Sequence, residues 1–191
     1  MEMPENESRR LAALDSYRIL DTEFEDSFDR IARVAARLFD VPIALITLID
    51  AKRQWFKAAV GVDIRETPRD ESFCTCAILE PEILEVLDPT HDPRFCDSLL
   101  VTGPPNIAFY AGAPIITPDG FSLGTVCVID RSVRPPLDQA GKLALKDLAE
   151  IVVDLLEWRK ARFLASKNSD IALVLAKTCS HFMPRHVKAE P

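Results

Sequence analysis

The sequence predicts an α+β fold in which a central antiparallel sheet carries packed helices. Three observations predict it. Amphipathic helical patterns open and close the chain, apolar runs too short for surface helices lie between them, and two of those runs flank a short turn segment as in a β-hairpin. The order reads helix, helix, strand, strand, loop, strand, long loop, strand, strand, helix. At 191 residues, 48% of them hydrophobic and 28% charged, one principal core of ordinary size is expected.

Each element has its own signal. Glu5 to Leu20 has helical character. In DTEFEDSFDRIARVAARLF, Thr22 and Glu25 stand at capping-box spacing, and Phe24, Phe28, Ile31, Ala35 and Leu38 follow at steps of four, three, four and three, marking one buried face. VPIALITLID, from Val41 to Asp50, is short, continuously apolar and rich in Ile, which suits a strand covered on both faces. RQWFKAAVG reads as a second strand and PEILEVLD as a short one. HDPRFCDSLLVTGPPN is a long connection broken by Pro and Gly, of the kind that carries function or covers a site. IAFYAGAPII and FSLGTVCVID form a hairpin about TPDG, with Asp119 and Gly120 in the turn. LDQAGKLALKDLAEIVVDLLEWRKARFLASK is a long helix whose basic end leaves the core. The expected division is an N-terminal helix over 1–22, a domain over 23–165 and a basic tail over 166–191.

Composition narrows the function classes. No apolar run reaches the roughly 18 residues of a membrane helix, and MEMPENESRR lacks a signal peptide's basic start and apolar stretch, so a cytosolic protein is expected. Five cysteines at irregular spacing do not form a disulfide framework. The net charge of −7 is uneven: from Trp158 onward seven basic residues face two acidic ones, leaving +5 there and −12 on the rest. An acidic body with a diffuse cationic tail argues against nucleic acid as a partner.

The residues RLAALDSYRILDTEFEDSFDRIARVAARLFDVPIALITLIDAKRQWFKAAVG, followed by ETPRDESFC, HDPRF, FYAGAPI and LGTVCVID, carry a resemblance. This series resembles the GAF domains of bacterial signalling proteins, especially those of sensor histidine kinases and diguanylate cyclases. It covers about residues 9 to 160 in the family's order. The resemblance implies a GAF-like antiparallel sheet of about six strands sandwiched by helices. It also implies a small-molecule pocket between one sheet face and the segments around Ser72–Leu79 and His91–Pro105. The ligand-binding residues expected there are Phe73, Cys74, Cys76, Phe95, Phe109 and Tyr110, apolar walls with a few polar tips.

Relatives often show Phe-Cys-x-His where this chain reads Phe73-Cys74-Thr75-Cys76. A zinc site has no second ligand pair here, and no metal is expected. Thiol chemistry needs a lowered pKa, and Arg69 is the only cation close in sequence. The reading adopted is that Cys74 and Cys76 are small, soft fillers of the pocket wall, with Cys127 a core residue. No nucleotide-binding glycine pattern occurs, His91 sits in a loop, and Arg94 among Asp88, Asp92 and Asp97 suggests loop bracing. Some GAF-like proteins are reductases or chromoproteins. The cysteine motifs of free methionine sulfoxide reductases are missing, Asp63-Ile64-Arg65 stands where phytochromes carry Asp-Ile-Pro, and the Asn-Lys-Phe-Asp-Glu signature of cyclic-nucleotide binders does not occur.

The function expected is a cytosolic sensory or regulatory module without catalysis, binding an unidentified small molecule and relaying the change through its terminal helices, with no cofactor assigned. The alternatives are the sensor portion of a histidine kinase or diguanylate cyclase without its output domain, and a thiol-based redox sensor or reductase. Leu148, Ile151, Leu155 and Trp158 follow a heptad rhythm in the last helix. Together with Leu11, Leu14 and Tyr17 of the first helix they predict a parallel homodimer, with a signalling protein as attached or docked partner and no membrane or nucleic acid.

Overall fold

The computed structural model describes residues 6–181, with side chains described for residues 6–167. At its centre lies β1 (Ile43–Ile49), buried along its whole length and apolar at every position but Thr47. It pairs with β2 (Arg53–Val60) on one side and β6 (Ser122–Asp130) on the other. β3 (Glu66–Pro68), β4 (Leu84–Val86) and β5 (Phe109–Ile116) complete a six-stranded sheet in the order β3-β2-β1-β6-β5-β4, with every neighbouring pair antiparallel. The hairpin turn falls where Asp119 and Gly120 place it. Gly120 takes φ 82 and its N–H donates to Thr117 O at 2.8 Å.

One face of the sheet is covered by α1 (Glu7–Ser16), α2 (Asp26–Leu38) and α5 (Gln139–His181). From α2 come Phe28, Ile31, Ala32 and Ala35, and from α5 come Leu145, Leu148, Ala149, Val152 and Leu156; both sets lie at helical spacing. They pack on Ala44, Ile46, Leu48, Val126 and Val128, the strand residues facing that side. α1 is shorter than the helix expected over Glu5 to Leu20: it stops at Ser16, and Arg18 and Asp21 take positive φ as the chain turns. Leu14 and Tyr17 enter the core.

The capping box at Thr22 and Glu25 does not form. α2 starts at Asp26 without a side-chain cap, because both residues serve the buried ammonium of Lys57 instead. Lys57 Nζ donates to Thr22 Oγ1 at 2.9 Å, to Glu23 O at 2.8 Å and to Glu25 Oε1 at 2.8 Å. A charged donor out of water gains more from these oxygens than one backbone N–H would. Two residues of the expected apolar stripe also lie outside the core. Phe24 precedes the helix, is 53% exposed and packs under the Arg65 guanidinium, 3.6 Å from its ring centroid; Leu38, the last helical residue, is 57% exposed.

The opposite face is covered by shorter pieces. α3 (Phe73–Ala77) and α4 (Leu99–Thr102) are helices of one turn or little more, and the sequence signals did not predict either of them or β3. Ser72 starts α3 by accepting the Thr75 N–H, and Ser98 starts α4 by accepting that of Leu100. The long connection is braced within itself: Arg94 Nη2 lies 2.7 Å from Asp92 Oδ2, and His91 Nδ1 lies 2.8 Å from Asp88 Oδ2. α5 continues past the boundary expected at 165, so 166–181 is helical in backbone, and the tail after 181 lies outside the described residues.

Candidate functional site: a cavity on the pocket face of the sheet

The short coverings leave space. Between them and the sheet is a cavity of about 410 Å³. Its floor is Ile43 and Leu45 of β1, Phe56 of β2, Tyr110 of β5 and Ile129 of β6, residues that alternate with those facing the helices. α3 contributes Phe73 and Cys74 to the wall, and Leu100, Pro104, Pro105 and Ile107 form the roof. Polar groups are few. Gln54 is buried, donating from Nε2 to Thr67 Oγ1 at 3.2 Å and accepting from Ser72 Oγ, while Asp63 and Arg131 stand exposed at the mouth. Apolar walls with a handful of placed polar groups are what small-molecule sites present.

Three of the six residues expected at this site line the cavity: Phe73, Cys74 and Tyr110. Phe95 stands behind them, its ring stacked on Phe73 with centroids 4.0 Å apart. Cys76 is half-buried against the same cluster without lining the cavity. Phe109 is not part of the site. It immediately precedes Tyr110 on β5, so its side chain points the other way and is buried among the helices. Sequence reasoning missed most of the lining, notably Leu45, Phe56, Leu100 and Ile107. The legible signal was the twofold alternation inside β1, which splits its continuous apolar run into two sets.

Beneath the cavity lies a buried polar cluster. Tyr110 lies flat along β5, its hydroxyl 2.1 Å from where a Cβ on Gly112 would stand, so the glycine is what admits the ring. That places Tyr110 Oη, donating, 3.3 Å from Cys74 Sγ. Cys127 Sγ lies 3.8 Å from Cys74 Sγ, and the hydroxyls of Thr47 and Thr125 pair across β1 and β6 at 3.1 Å. Burial pushes the Cys74 thiol up, but hydrogen bonds from Cys127, Thr125, Tyr110 and Thr47 outweigh it, making Cys74 the acidic member of the pair. The Cys127 thiol rises well above its ordinary value through its bond to Cys74 and its burial. Burial also raises Cys76, with the Arg94 guanidinium only partly offsetting it.

A second groove of about 410 Å³ runs beside α5, lined by Tyr17, Arg18, Trp158, Arg159 and Phe163 among others. It is an open surface groove: Trp158 is 60% exposed. Among the described residues, no helix is long and apolar enough to cross a membrane, and no group of three or more His, Cys, Asp or Glu residues could hold a metal ion.

The GAF domain family model matches residues 23–156. The chain belongs to the GAF domain family. A curated relative, a cyclic di-GMP phosphodiesterase of Pseudomonas aeruginosa, is 46% identical over 150 residues, covering 78% of this chain and 26% of that protein. The chain thus spans about a quarter of the length of that relative. Among solved structures, the GAF domain of an Acinetobacter phosphoenolpyruvate-protein phosphotransferase superposes with TM-score 0.60 at 17% identity, covering 83% of this chain and 97% of that one. A domain of a putative two-component sensor histidine kinase from Sinorhizobium meliloti gives TM-score 0.58 at 15% identity, covering 76% and 99%. At such identities the likeness is one of fold.

Proposed function

We propose that this GAF domain is a sensory module that binds a small molecule in the cavity and relays its occupancy to the terminal helices, without catalysis of its own. The observation that carries the reading is the cavity itself: about 410 Å³, apolar in floor and roof, with Gln54 held inside and Asp63 and Arg131 at the mouth. A largely apolar molecule with a polar edge suits these walls. The setting is cyclic di-GMP signalling, suggested by the relative that is 46% identical and named a phosphodiesterase of that nucleotide. In this reading the output is an enzyme of that kind, attached or docked, and the domain acts in the cytoplasm.

Two contacts support a route for the relay. The carbonyl of Arg69 accepts from Thr75 Oγ1 of α3 at 2.8 Å, and Arg69 Nη1 reaches Glu7 of α1 at 2.6 Å. Movement of the cavity wall thus pulls on the first terminal helix. Tyr17, the residue that follows that helix, meets α5 by donating its hydroxyl to Glu157. Of the four residues expected in a dimer seam, Leu148 is taken by the intramolecular core, Leu155 is half-buried, and Ile151 and Trp158 stand 47% and 60% exposed. In our reading a second copy covers the exposed part of that stripe.

The test is a melting-temperature screen against nucleotides, tetrapyrroles and aromatic metabolites, in parallel on the wild type and on Ile107→Trp, which fills the cavity from its roof. A ligand at a hundred times its Kd stabilises by about 2.7 kcal/mol. The expected outcome is a shift in the wild type that Ile107→Trp abolishes. A shift that survives Ile107→Trp, or none with any compound, overturns the reading.

A further inference from the structure

Cys74 and Cys127, 53 residues apart in sequence, meet at the cavity floor with their sulfurs 3.8 Å apart. Cys74 arrives on α3 and lines the cavity, whereas Cys127 sits in the middle of β6, buried beneath it. Their surroundings are arranged about the first sulfur. Tyr110 Oη donates to it, Gly112 leaves the room that allows this, and the Thr47 and Thr125 hydroxyls stand alongside. Soft packing alone needs none of these donors. A thiolate at Cys74 does, since in an apolar layer only hydrogen-bond donors replace the water it has lost.

We propose that Cys74 and Cys127 form an oxidation-sensitive pair, with Cys74 oxidised by a hydroperoxide entering the cavity and Cys127 resolving the product to a disulfide. In the first step the Cys74 sulfur attacks the terminal oxygen of the hydroperoxide. The O–O bond breaks, an alcohol or water leaves with a proton, and Cys74 carries a sulfenic OH. In the second step the Cys127 sulfur gives up its proton and attacks Cys74 Sγ. The S–O bond breaks, and hydroxide leaves with that proton as water. Two thiols lose two electrons and one hydroperoxide gains them. The disulfide requires the sulfurs to close to about 2 Å, so α3, a five-residue helix, is drawn toward β6 and the cavity wall moves with it. The pair does not depend on the cavity holding a sensory ligand: a domain that binds no metabolite can still oxidise, and a domain that binds one can fail to.

The experiment treats the folded full chain with hydrogen peroxide and, separately, with cumene hydroperoxide, then digests it with trypsin without reductant. Cleavage puts Cys74 and Cys76 on peptide 70–94, Cys96 and Cys127 on peptide 95–131, and Cys179 on a third. In a Cys76→Ser/Cys96→Ser background the two peptides are expected to stay joined, two hydrogens lighter than their sum, and to part with dithiothreitol. Adding Cys127→Ala should abolish the link and leave Cys74 as a sulfenic acid that dimedone captures; Cys127→Ser, closer in shape and polarity, serves if the alanine variant does not fold. Response to cumene hydroperoxide alone identifies an organic oxidant as the one that enters. Peptides that stay separate with both oxidants, a link that forms only in urea, or a Cys74 that resists dimedone in both Cys127 variants overturns the proposal.

Discussion

The two faces of one sheet are finished in opposite ways. On the helix face, α2 and α5 each supply a stripe of apolar residues at helical spacing, long enough to cover the strands and fill the layer. On the pocket face, α3 and α4 are too short to supply a stripe, the segments between them run irregularly, and a cavity of about 410 Å³ remains. The treatment of polar groups differs too. The helix face buries one ammonium, Lys57, and surrounds it with three oxygens, while the pocket face buries thiols, hydroxyls and an amide whose partners are one another. The first arrangement ties α2 to the sheet, and the second, in the function proposed above, supplies groups that respond to an occupant.

The comparison is most exposed to a pair of deletions. Phe28→Ala, on the helix face, should cost about 3–5 kcal/mol in urea unfolding, since it opens a hole in a filled layer. Ile107→Ala, on the pocket face, should cost under about 2 kcal/mol because its side chain already borders empty space. Equal losses would erase the distinction between the faces.

The next effect tests the tie between the two layers. Glu7 lies between Arg10 and Arg69, with Arg10 Nε at 2.7 Å and Arg69 Nη1 at 2.6 Å. Both guanidinium groups are buried, so Glu7→Gln should destabilise by about 2–3 kcal/mol at neutral pH. Burial pushes the Glu7 carboxyl up, but the two arginines outweigh it and hold it below its ordinary 4.5. A lowered carboxyl contributes stability that is complete above the unfolded value and lost as pH falls through the folded one. The gap between wild type and Glu7→Gln should therefore be widest above about pH 4.5 and close on acidification. A gap that stays constant down to the acid transition would show that the charge on Glu7 contributes nothing.

The smallest effect on stability belongs to the rim of the helix face, where Leu155 packs against the edge of the core and Trp158 stands exposed. Trp158→Glu with Leu155→Glu changes a half-buried and an exposed side chain of α5. Leu155→Glu should cost no more than about 1 kcal/mol, and Trp158→Glu should stay within about 0.5 kcal/mol. By sedimentation the intact chain is expected as a dimer at tens of micromolar and the double variant as a monomer. A monomeric wild type or an unchanged variant removes the second copy from the account.

The helix face was the more legible in the sequence, for a physical reason. Its stripes repeat at 3.6 residues over several turns, so Phe28, Ile31 and Ala35 announce themselves, and β1, β2 and the hairpin follow from short apolar runs bounded by turns. The failures there came from tertiary competition: a lysine 32 residues from Glu25 claimed the oxygens of the capping box. The pocket face was readable mainly through resemblance to relatives, because five residues of α3 and four of α4 give no period to detect. Phe109 and Tyr110 show the same limit at one step. An aromatic pair attracted attention as a unit, yet a strand sends its two members to opposite faces. Thr47 and Thr125, polar residues inside two apolar strands, were a signal of the buried cluster that could have been used.

The measurement that bears most directly on the account is hydrogen–deuterium exchange of the wild type, of Ile107→Trp and of Ile107→Trp with Glu7→Gln. Filling the cavity stands in for an occupant and needs no known ligand. The account predicts slower exchange in residues 73–77 and 99–107 of Ile107→Trp and a further change in 7–16, carried through Arg69 and Glu7. Adding Glu7→Gln should cancel the response of 7–16 to the filled cavity while keeping that of the cavity wall. A filled cavity that alters only 99–107 and leaves α1 untouched would contradict the link between pocket and terminal helix.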